Sequence, residues 1–326
     1  MKLISDIQIK NAAPHIFRRP FLFVEPNTRM LEIATFLAIG PQIYVDGLVV
    51  VSDNDKGQRT RPVGRIGCKH IISNILDSDY PDWLETKASQ IMDTTVGACE
   101  ADSMLSSALE VFDKTRFAFA PIVANRDNEK NGEIDSSSLV VTAAFTIRDI
   151  LPLIAKANIT IPIKKISSRL VSLDGNTSIT NALSYMLRTG IRNIGINEDV
   201  SIHDNANGDS VGPIKEARKS KVLRIINDRK ILEFLFSHKG RENLRKNGTT
   251  GLRDINIINH LDMISIAQVK SNTTVSKAAE LLMDIRNPCL ILEGKGGEED
   301  TNHYILTPWD VVMKTLKSES TPIIAN

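Results

Sequence analysis

The stretch 27–37 reads NTRMLEIATFL, and it decides the fold because its pattern returns three more times. An Asn or Asp and a hydroxyl residue are followed by apolar residues two, five, six and nine positions beyond the hydroxyl. This spacing predicts one apolar stripe of an α-helix, and the polar pair can accept hydrogen bonds from its first turn. Four copies indicate a repeat protein. The other copies are 102–112 (DSMLSSALEVF), 176–186 (NTSITNALSYM) and 272–282 (NTTVSKAAELL).

Each predicted helix lies within the same order of elements. A short apolar run precedes it and a β-type run follows it; after a polar stretch, a second β-type run enters another helix. Each unit therefore reads strand, helix, strand, strand, helix. Two longer polar segments, an insertion at 197–220 and a basic connector at 237–260, lie between the third and fourth copies of the pattern. The predicted strands are 21–24, 42–51 and 63–66, then 96–99, 118–123 and 139–145, then 170–173, 192–196 and 222–226, then 264–269, 289–292 and 304–306.

A unit of this size rarely closes a hydrophobic core alone, so the units are expected to pair. The 326 residues are predicted to form an α+β protein of four βαββα units in two tandem pairs. The first unit pairs with the second and the third with the fourth, through sheets and helices. The predicted unit boundaries are 1–80, 81–156, 157–245 and 246–326.

Composition excludes several classes of function. The 40 basic and 39 acidic residues nearly balance, which argues against a general polyanion binder, and aromatic residues make up only 5%. A nucleic-acid partner is not expected, and the basic connector is interpreted as a solvated surface. The three cysteines lack ligand spacing and are expected to be reduced core thiols. Neither a signal peptide nor an apolar run of about 18 residues is found, so a cytoplasmic protein without a membrane span is predicted.

The sequence contains no recognisable catalytic or metal-binding constellation. The histidines are scattered, and no Ser or Cys lies in a nucleophile elbow. The glycine-rich segment 294–297 lacks the ending of a P-loop, and the acidic segment 204–209 lacks the closing Glu of a calcium loop. We therefore predict no enzyme activity, no metal and no cofactor.

Two units end their last strand on a Thr that is followed three residues later by an Asp. The pairs are Thr146 with Asp149 and Thr307 with Asp310. At a helix start, such a hydroxyl and carboxylate face the same side, so the Asp can accept both hydroxyl protons of a ribose while backbone N–H groups hold an oxygen. The same spacing is also a variant of a capping box that needs no ligand. Both interpretations stay open.

The other two units provide an internal comparison. Their carboxylate positions hold His70 and Lys230, which in their charged forms cannot accept a hydroxyl proton. Each pair of units is therefore expected to contain one competent and one degenerate site. A basic residue at the degenerate position could instead neutralise a phosphate, or simply be exposed.

The four units resemble cystathionine-β-synthase (CBS) domains, and the chain from about residue 7 to 316 resembles two tandem pairs, called Bateman modules. Nucleotide-binding CBS units end their last strand in Gly, two apolar residues, Ser or Thr, two residues and Asp. Segments 143–149 (AAFTIRD) and 304–310 (YILTPWD) depart at the Gly but keep Thr and Asp. A four-unit chain with no other domain is similar to the γ subunit of AMP-activated protein kinase and its archaeal relatives.

The resemblance implies further ligand contacts. Arg192 lies in Gly-Ile-Arg-Asn, similar to a Gly-Ile-Arg-Arg segment whose basic residue often reaches phosphate. Arg116 and Arg286 end the first helices of their units and are further phosphate candidates, although each of the three could simply complement a helix C-terminus. Adenine would rest against backbone segments that contain Thr94, Val96, Ala120, Pro121 and Ile122 in the first pair, and Ile264, Ile266 and Leu290 in the second.

The function implied is a non-catalytic regulatory module. Adenine nucleotides (AMP, ADP or ATP) would bind in clefts between repeats and change the angle between paired units, which would transmit energy status to a protein partner. Two alternatives are kept: a sensor of S-adenosylmethionine or another adenosyl compound, and an interaction scaffold with empty clefts. The identity of the partner and a homodimer of modules are left open.

Overall fold

The computed structural model describes residues 3–20, 22–38, 46–53, 59–78, 82–125, 139–197, 222–248, 250–264, 266–293 and 303–317. The predicted insertion lies outside the described residues except for its first residue, Asn197, and so do segments 204–209 and 294–297.

The described elements follow the predicted order in each of the four units. In every unit a short strand precedes a helix, and a hairpin of two strands leads into a further helix. The α-helices are α1 Ile9–Ala12, α2 Met30–Ala38, α3 Cys68–Asp77, α4 Asp82–Glu85, α5 Ala88–Ile91, α6 Leu105–Thr115, α7 Leu151–Lys156, α8 Ile179–Thr189, α9 Asp228–Phe236, α10 His238–Asn247, α11 Ile257–His260, α12 Val275–Met283 and α13 Pro308–Leu316. The strands are β1 Phe23–Val24, β2 Leu48–Asp53, β3 Arg59–Ile66, β4 Cys99–Glu100, β5 Phe119–Asn125, β6 Leu139–Thr146, β7 Ser168–Arg169, β8 Ser172–Asp174, β9 Asn193–Asn197, β10 Val222–Asn227, β11 Gln268–Lys270, β12 Leu290–Glu293 and β13 Tyr304–Leu306. The 3-10 turns are Ile4–Asp6, Pro14–Phe17, Ile147–Ile150, Ile163–Lys165 and Thr250–Arg253.

Each unit contributes one sheet with the same topology. Its first strand pairs parallel with its second, and the second pairs antiparallel with its third. The fourth sheet has an additional strand, because β7 of the third unit pairs with β13. None of the helices in the described part of the chain is long and apolar enough to cross a membrane.

The predicted helix caps are displaced by one residue. In the third and fourth units the capping hydroxyls belong to Ser178 and Thr274, which follow the repeat hydroxyl. In the first two units the repeat hydroxyls of Thr28 and Ser103 accept hydrogen bonds from backbone N–H groups three residues earlier. The prediction was wrong here because a hydroxyl can stabilise the turn before a helix as well as the helix start.

The sheets join the units in the predicted pairs. The first and second sheets pack through one apolar cluster, and the third and fourth through another. The first cluster contains Val49, Val51, Phe117, Phe119, Val123 and Val141, and the second contains Leu170, Ile225, Cys289, Ile291 and Ile305.

The repeat helices join units of different pairs. One core combines helices of the first and third units, where α2 packs on α9 and α3 on α8. The other combines the second and fourth units, where α7 packs on α12 and α13. Helices also join units of the same pair, as predicted, since α4 and α5 of the second unit pack on α2 and α3 of the first. A helix such as α9, whose buried residues include Ile231, Leu232, Leu235 and Phe236, is apolar over more than one face and is therefore covered on more than one side.

The segment before each first strand packs on the partner unit. Residues 4–19 lie on the second unit, and the segment from α4 to α5 lies on the first. Residues 159–169 lie on the fourth unit, and residues 252–261 on the third. Each pair is thus held by exchanged segments as well as by sheets, while the unit boundaries themselves stay a prediction.

A core substitution can test the cross-pair packing. Leu235 is fully buried in the core that the first and third units share. We expect Leu235→Ala to lower the free energy of unfolding by about 2 to 5 kcal/mol, because it leaves a cavity. Hydrogen exchange should show that α2 of the first unit loses protection together with α9. Loss of protection confined to the third unit would contradict the shared core.

Candidate functional site

Equivalent positions of the four units meet around one cavity. Alignment on the parallel pairing of first and second strands makes Asp46, Ala118, Arg192 and Pro288 equivalent, each just before a second strand. All four residues line a cavity of about 680 Å³, here called the central cavity. A smaller cavity of about 300 Å³ shares Asp46, Ala118 and Arg192 with it. The equivalence follows from the pairing of the modules, which turns the same edge of every unit toward the centre.

Helix N-termini border these cavities. The first residues of α9 and α13 line the central cavity, and the start of α3 lines the smaller one. A helix N-terminus carries a partial positive charge even where, as in α9 and α13, the side chains of Asn227 and Thr307 cap N–H groups of the first turn. The centre of the molecule is therefore suited to anionic groups.

Ionisable side chains of both signs line the central cavity. The carboxylates partly compensate the cationic side chains, so the cavity is polar without a large net charge. The cationic residues are Arg116, Arg148, Arg169 and Arg192, and the acidic residues are Asp46, Asp228 and Asp310.

Arg192 connects the third unit to the first across the cavity. Its Nε donates to Asp228 Oδ2 at 2.7 Å, and its Nη1 lies 3.4 Å from Asp46 Oδ1. The C-cap of the preceding helix is Gly190, in the left-handed conformation at φ 71°. Arg192 therefore lines the central cavity, and its guanidinium group contacts two carboxylates there. A phosphate in the cavity could take the place of these carboxylates.

Asp46 is buried with part of its hydrogen-bonding capacity unused. Its Oδ2 has no partner among the described residues, and neither does the buried Oδ1 of Asn193, which also lines the cavity. Burial raises the pKa of the Asp46 carboxyl above its ordinary value, because lost hydration outweighs the attraction of nearby arginines, chiefly Arg192. Two residues that line the central cavity therefore each hold a buried acceptor atom without a donor in the described part of the chain.

Groups of the protein itself occupy the acceptor positions of the Asp149 carboxylate. Its Oδ2 accepts hydrogen bonds from Thr146 N at 2.7 Å and Thr146 Oγ1 at 2.8 Å, which caps the helix start. Arg19 binds both carboxylate oxygens at 2.8 and 2.9 Å, and His15 Nε2 lies 3.0 Å from Oδ1. The capping interpretation of this pair therefore has direct contacts, and a ribose would have to displace Arg19.

The acceptor positions of the Asp310 carboxylate are occupied in a similar way. Its Oδ2 accepts from Thr307 N at 3.0 Å and Thr307 Oγ1 at 2.7 Å. Its Oδ1 accepts from Ser168 Oγ at 2.8 Å and from Lys314 Nζ at 2.8 Å. Unlike Asp149, this carboxylate lines the central cavity together with Thr307.

The two filled carboxylates share a partner position. Arg19 lies nine residues before the repeat hydroxyl Thr28, and Ser168 lies nine residues before Thr177. Each residue belongs to the segment that its unit exchanges onto the partner unit. The exchanged segments therefore complete the surroundings of both Thr-x-x-Asp pairs, which no local pattern could predict.

The degenerate positions have structural roles. His70 Nδ1 accepts a hydrogen bond from Gly67 N at 3.1 Å, as a capping group does. Burial, assisted by the charge of Lys69, lowers the pKa of His70 to about 4, so its ring is neutral near pH 7. Lys230 pairs with Glu233 at 2.6 Å on its own helix. Neither residue lines the central cavity.

A buried arginine occupies the interior of the first pair. Arg65 is fully buried, and its guanidinium lies 4.3 Å from the Phe117 ring centroid. It also donates to the Thr95 carbonyl at 2.5 Å. The equivalent residue of the third unit is Ile225, in an apolar cluster. The two modules therefore differ chemically where their sheets meet.

The remaining predicted residues are dispersed. Arg116 lines both cavities, is 71% exposed and lies near Asp113. Arg286 is 86% exposed, is paired with Asp284 at 2.6 Å, and is absent from the lining of the central cavity. The predicted adenine segments do not line the central cavity either: Thr94 is exposed, Val96, Ile264 and Ile266 are half-buried, and Ala120, Pro121, Ile122 and Leu290 are buried.

Several cavity residues were missed from the sequence. Asp46 could have been found, because it occupies the position of Arg192 in the repeat alignment. Apart from Arg169, the others lie one or two positions from residues that the sequence singled out, but no pattern marks them as polar contacts. The missed residues are Asp46, Arg148, Arg169, Asn193, Asp228 and Trp309.

Comparison with solved structures shows what the architecture is. MJ1225 of Methanocaldococcus jannaschii, proposed to be an archaeal homolog of g-AMPK, matches with a TM-score of 0.70 at 16% identity, covering 95% of this chain and 100% of its own. An uncharacterized conserved protein of Pyrococcus horikoshii matches with a TM-score of 0.52 at 13% identity, with the same coverage of 95% and 100%. No family model matches the sequence, and no curated protein does.

These likenesses establish the fold. The structural neighbours are CBS-domain proteins. The chain has the fold of a tandem CBS-domain protein, with four CBS units in two Bateman modules, and the predicted fold class is confirmed.

The burial of Asp46 gives a pH-dependent prediction. An acid whose pKa is raised in the folded protein contributes stability below its unfolded pKa, near 3.8, and that contribution is lost as the pH rises through the folded pKa. Asp46→Asn removes this penalty. We therefore expect the variant to melt at a higher temperature than wild type at pH 7, with a difference that shrinks toward pH 4. Asp254→Asn, at an exposed carboxylate, is the control, and a lower melting temperature for Asp46→Asn at pH 7 would contradict the prediction.

Proposed function

We propose that the protein is a non-catalytic, cytoplasmic regulatory module that binds AMP, ADP or ATP and transmits energy status to a protein partner. The central cavity supports this proposal most directly, since all four units meet there and four arginines line it. Its volume of about 680 Å³ lies in the range of small-molecule sites.

The phosphates would bind at the arginines. Arg148 donates to the carbonyl oxygens of Leu282 and Asn287 at 2.6 and 3.0 Å, which fixes it between the second and fourth units. Arg192 is fixed between the third and first units by its carboxylates. Guanidinium groups held in place bind phosphate with little ordering cost, and the helix N-termini add a partial positive charge.

The base would bind at the apolar part of the lining. Trp309, Pro308, Pro288 and Ile305 line the cavity on the fourth unit. An aromatic ring can stack on a purine, and the prolines add apolar surface without extra donors. A ligand with an anionic end and an aromatic end therefore matches the two kinds of lining.

Regulation would follow from the placement of the ligand. A ligand that contacts all four units binds best to one arrangement of the modules and shifts the population toward it. The fold likeness to a protein proposed as an archaeal homolog of g-AMPK supports a role in sensing nucleotides. A partner would then respond to the arrangement, which is a coupling between two sites.

One alternative ligand class has a specific observation in its favour. Asp46 and Asp228 line the same cavity, and they could attract the positive groups of S-adenosylmethionine. The filled carboxylates of Asp149 and Asp310 support the further alternative of a scaffold that binds no ligand in these clefts.

Direct binding separates the alternatives. We expect AMP, ADP or ATP to bind with micromolar dissociation constants, which correspond to about 7 to 8 kcal/mol, as measured by calorimetry. A preference for S-adenosylmethionine over all three nucleotides would favour the adenosyl-sensor alternative. If no adenosyl compound raises the melting temperature at millimolar concentration, the scaffold interpretation is favoured.

The predicted ribose role of Asp149 has its own test. If a ribose displaces Arg19 from this carboxylate, Arg19→Ala should strengthen nucleotide binding at this site roughly twofold to fivefold, because the lost ion pair is partly exposed. Asp149→Ala should weaken it about ten- to a hundredfold. The matched control is Lys10→Ala, which removes another cation of the same segment, paired with Asp102. Unchanged affinity in both Asp149→Ala and Arg19→Ala, with lower melting temperatures, would show that Asp149 is only a cap.

A further inference from the structure

The carboxylates that line the central cavity differ in how many of their hydrogen-bond acceptor positions are occupied. A carboxylate offers about four acceptor positions. Asp310 receives four donors at 2.7 to 3.0 Å, two from Thr307 and one each from Ser168 and Lys314. All the acceptor positions of the Asp310 carboxylate are therefore occupied by donors of the protein itself.

Asp46 and Asn193, in contrast, each have an acceptor oxygen that receives no hydrogen bond from the described residues. Within the described part of the chain, the Asp46 side chain has one hydrogen bond, from Arg192 Nη1 to Oδ1 at 3.4 Å, and its Oδ2 has no partner. The Oδ1 of Asn193 is equally buried and unpartnered. Both residues line the central cavity. Buried acceptors without donors are unfavourable, so a bound group that supplies hydrogen-bond donors would relieve both.

We propose that Asp46 and Asn193 accept the ribose hydroxyl protons of the nucleotide in the central cavity. The inference rests on the proposed function and changes its ribose assignment, since Asp310 then keeps its internal contacts. The proximity of Asp46 to Arg192 favours the ribose hydroxyls over the amine of the base as the donors. Asp46 lies beside Arg192, a proposed phosphate ligand, and the ribose hydroxyls are the donors of a nucleoside phosphate nearest to its phosphate.

The repeat alignment supports an acceptor at this position. The segment 190–193 is similar to Gly-Ile-Arg-Arg but ends in Asn193, which places a carbonyl oxygen where a guanidinium would offer only donors. The position of Arg192 in the first unit is Asp46, again an acceptor. The first and third units thus present acceptors at the cavity, while the fourth presents Pro288 and Trp309.

The experiment compares AMP with 2′,3′-dideoxy-AMP on the full chain by calorimetry. Wild type should bind the dideoxy compound about ten- to a hundredfold more weakly, as expected for loss of hydrogen bonds to a charged acceptor. Asp46→Asn should bind AMP more weakly and should discriminate less between the two ligands, because it loses the charged acceptor and keeps only neutral ones, among them Asn193. Asn193→Leu should weaken AMP binding severalfold. Melting curves establish that each variant is folded.

The control is Asp254→Asn, at an exposed carboxylate, which should bind AMP as wild type does. Asp310→Asn tests the competing assignment, and this variant should keep the discrimination between the two ligands. If Asp310→Asn abolishes that discrimination while Asp46→Asn keeps it, ribose binds at Asp310 and the inference is wrong. Equal AMP affinity of wild type, Asp46→Asn and Asn193→Leu would show that the two acceptors hold water only. Absence of any adenine nucleotide binding to wild type would instead overturn the proposed function itself.

Discussion

The apolar helix faces that a single unit cannot cover are the constraint on which the rest of the structure depends. A unit of this size places one face of its sheet against its partner and still has helices with uncovered apolar surface. Those helices pack across pairs, the first unit with the third and the second with the fourth. Sheets join the two units of each pair, and the cores formed by helices join units of different pairs. The four units therefore surround a common centre, where the central cavity lies.

Closure concentrates polar groups that each unit would otherwise expose. Four equivalent positions and several helix starts are brought to one place, where arginines and carboxylates compensate one another. Arg192 illustrates this balance, since Asp46 and Asp228 both contact its guanidinium group. An anion that replaced these carboxylates would change contacts between units, which is the physical link between binding and module arrangement.

Repetition allowed equivalent positions to take different roles. At the third residue of the second helix, Asp149 and Asp310 cap the helix start and bind cations, the neutral ring of His70 caps without binding one, and Lys230 pairs with Glu233. The exchanged segments add to this difference. Arg19 binds both oxygens of the Asp149 carboxylate, whereas its counterpart Ser168 binds one oxygen of Asp310, which also contacts Lys314.

The sequence by itself determined the four units, the order of strands and helices in each, and the placement of two Thr-x-x-Asp pairs at helix starts. These features depend on contacts within a few residues, which periodicity and capping patterns encode. Only the tertiary structure decided which helices meet, that Arg19 reaches Asp149 across 130 positions, and that Arg192 reaches Asp46 across 146. Apolar stripes of repeated helices are chemically alike, so they do not specify a partner. The partner is set by how the sheets and helices of all four units close together.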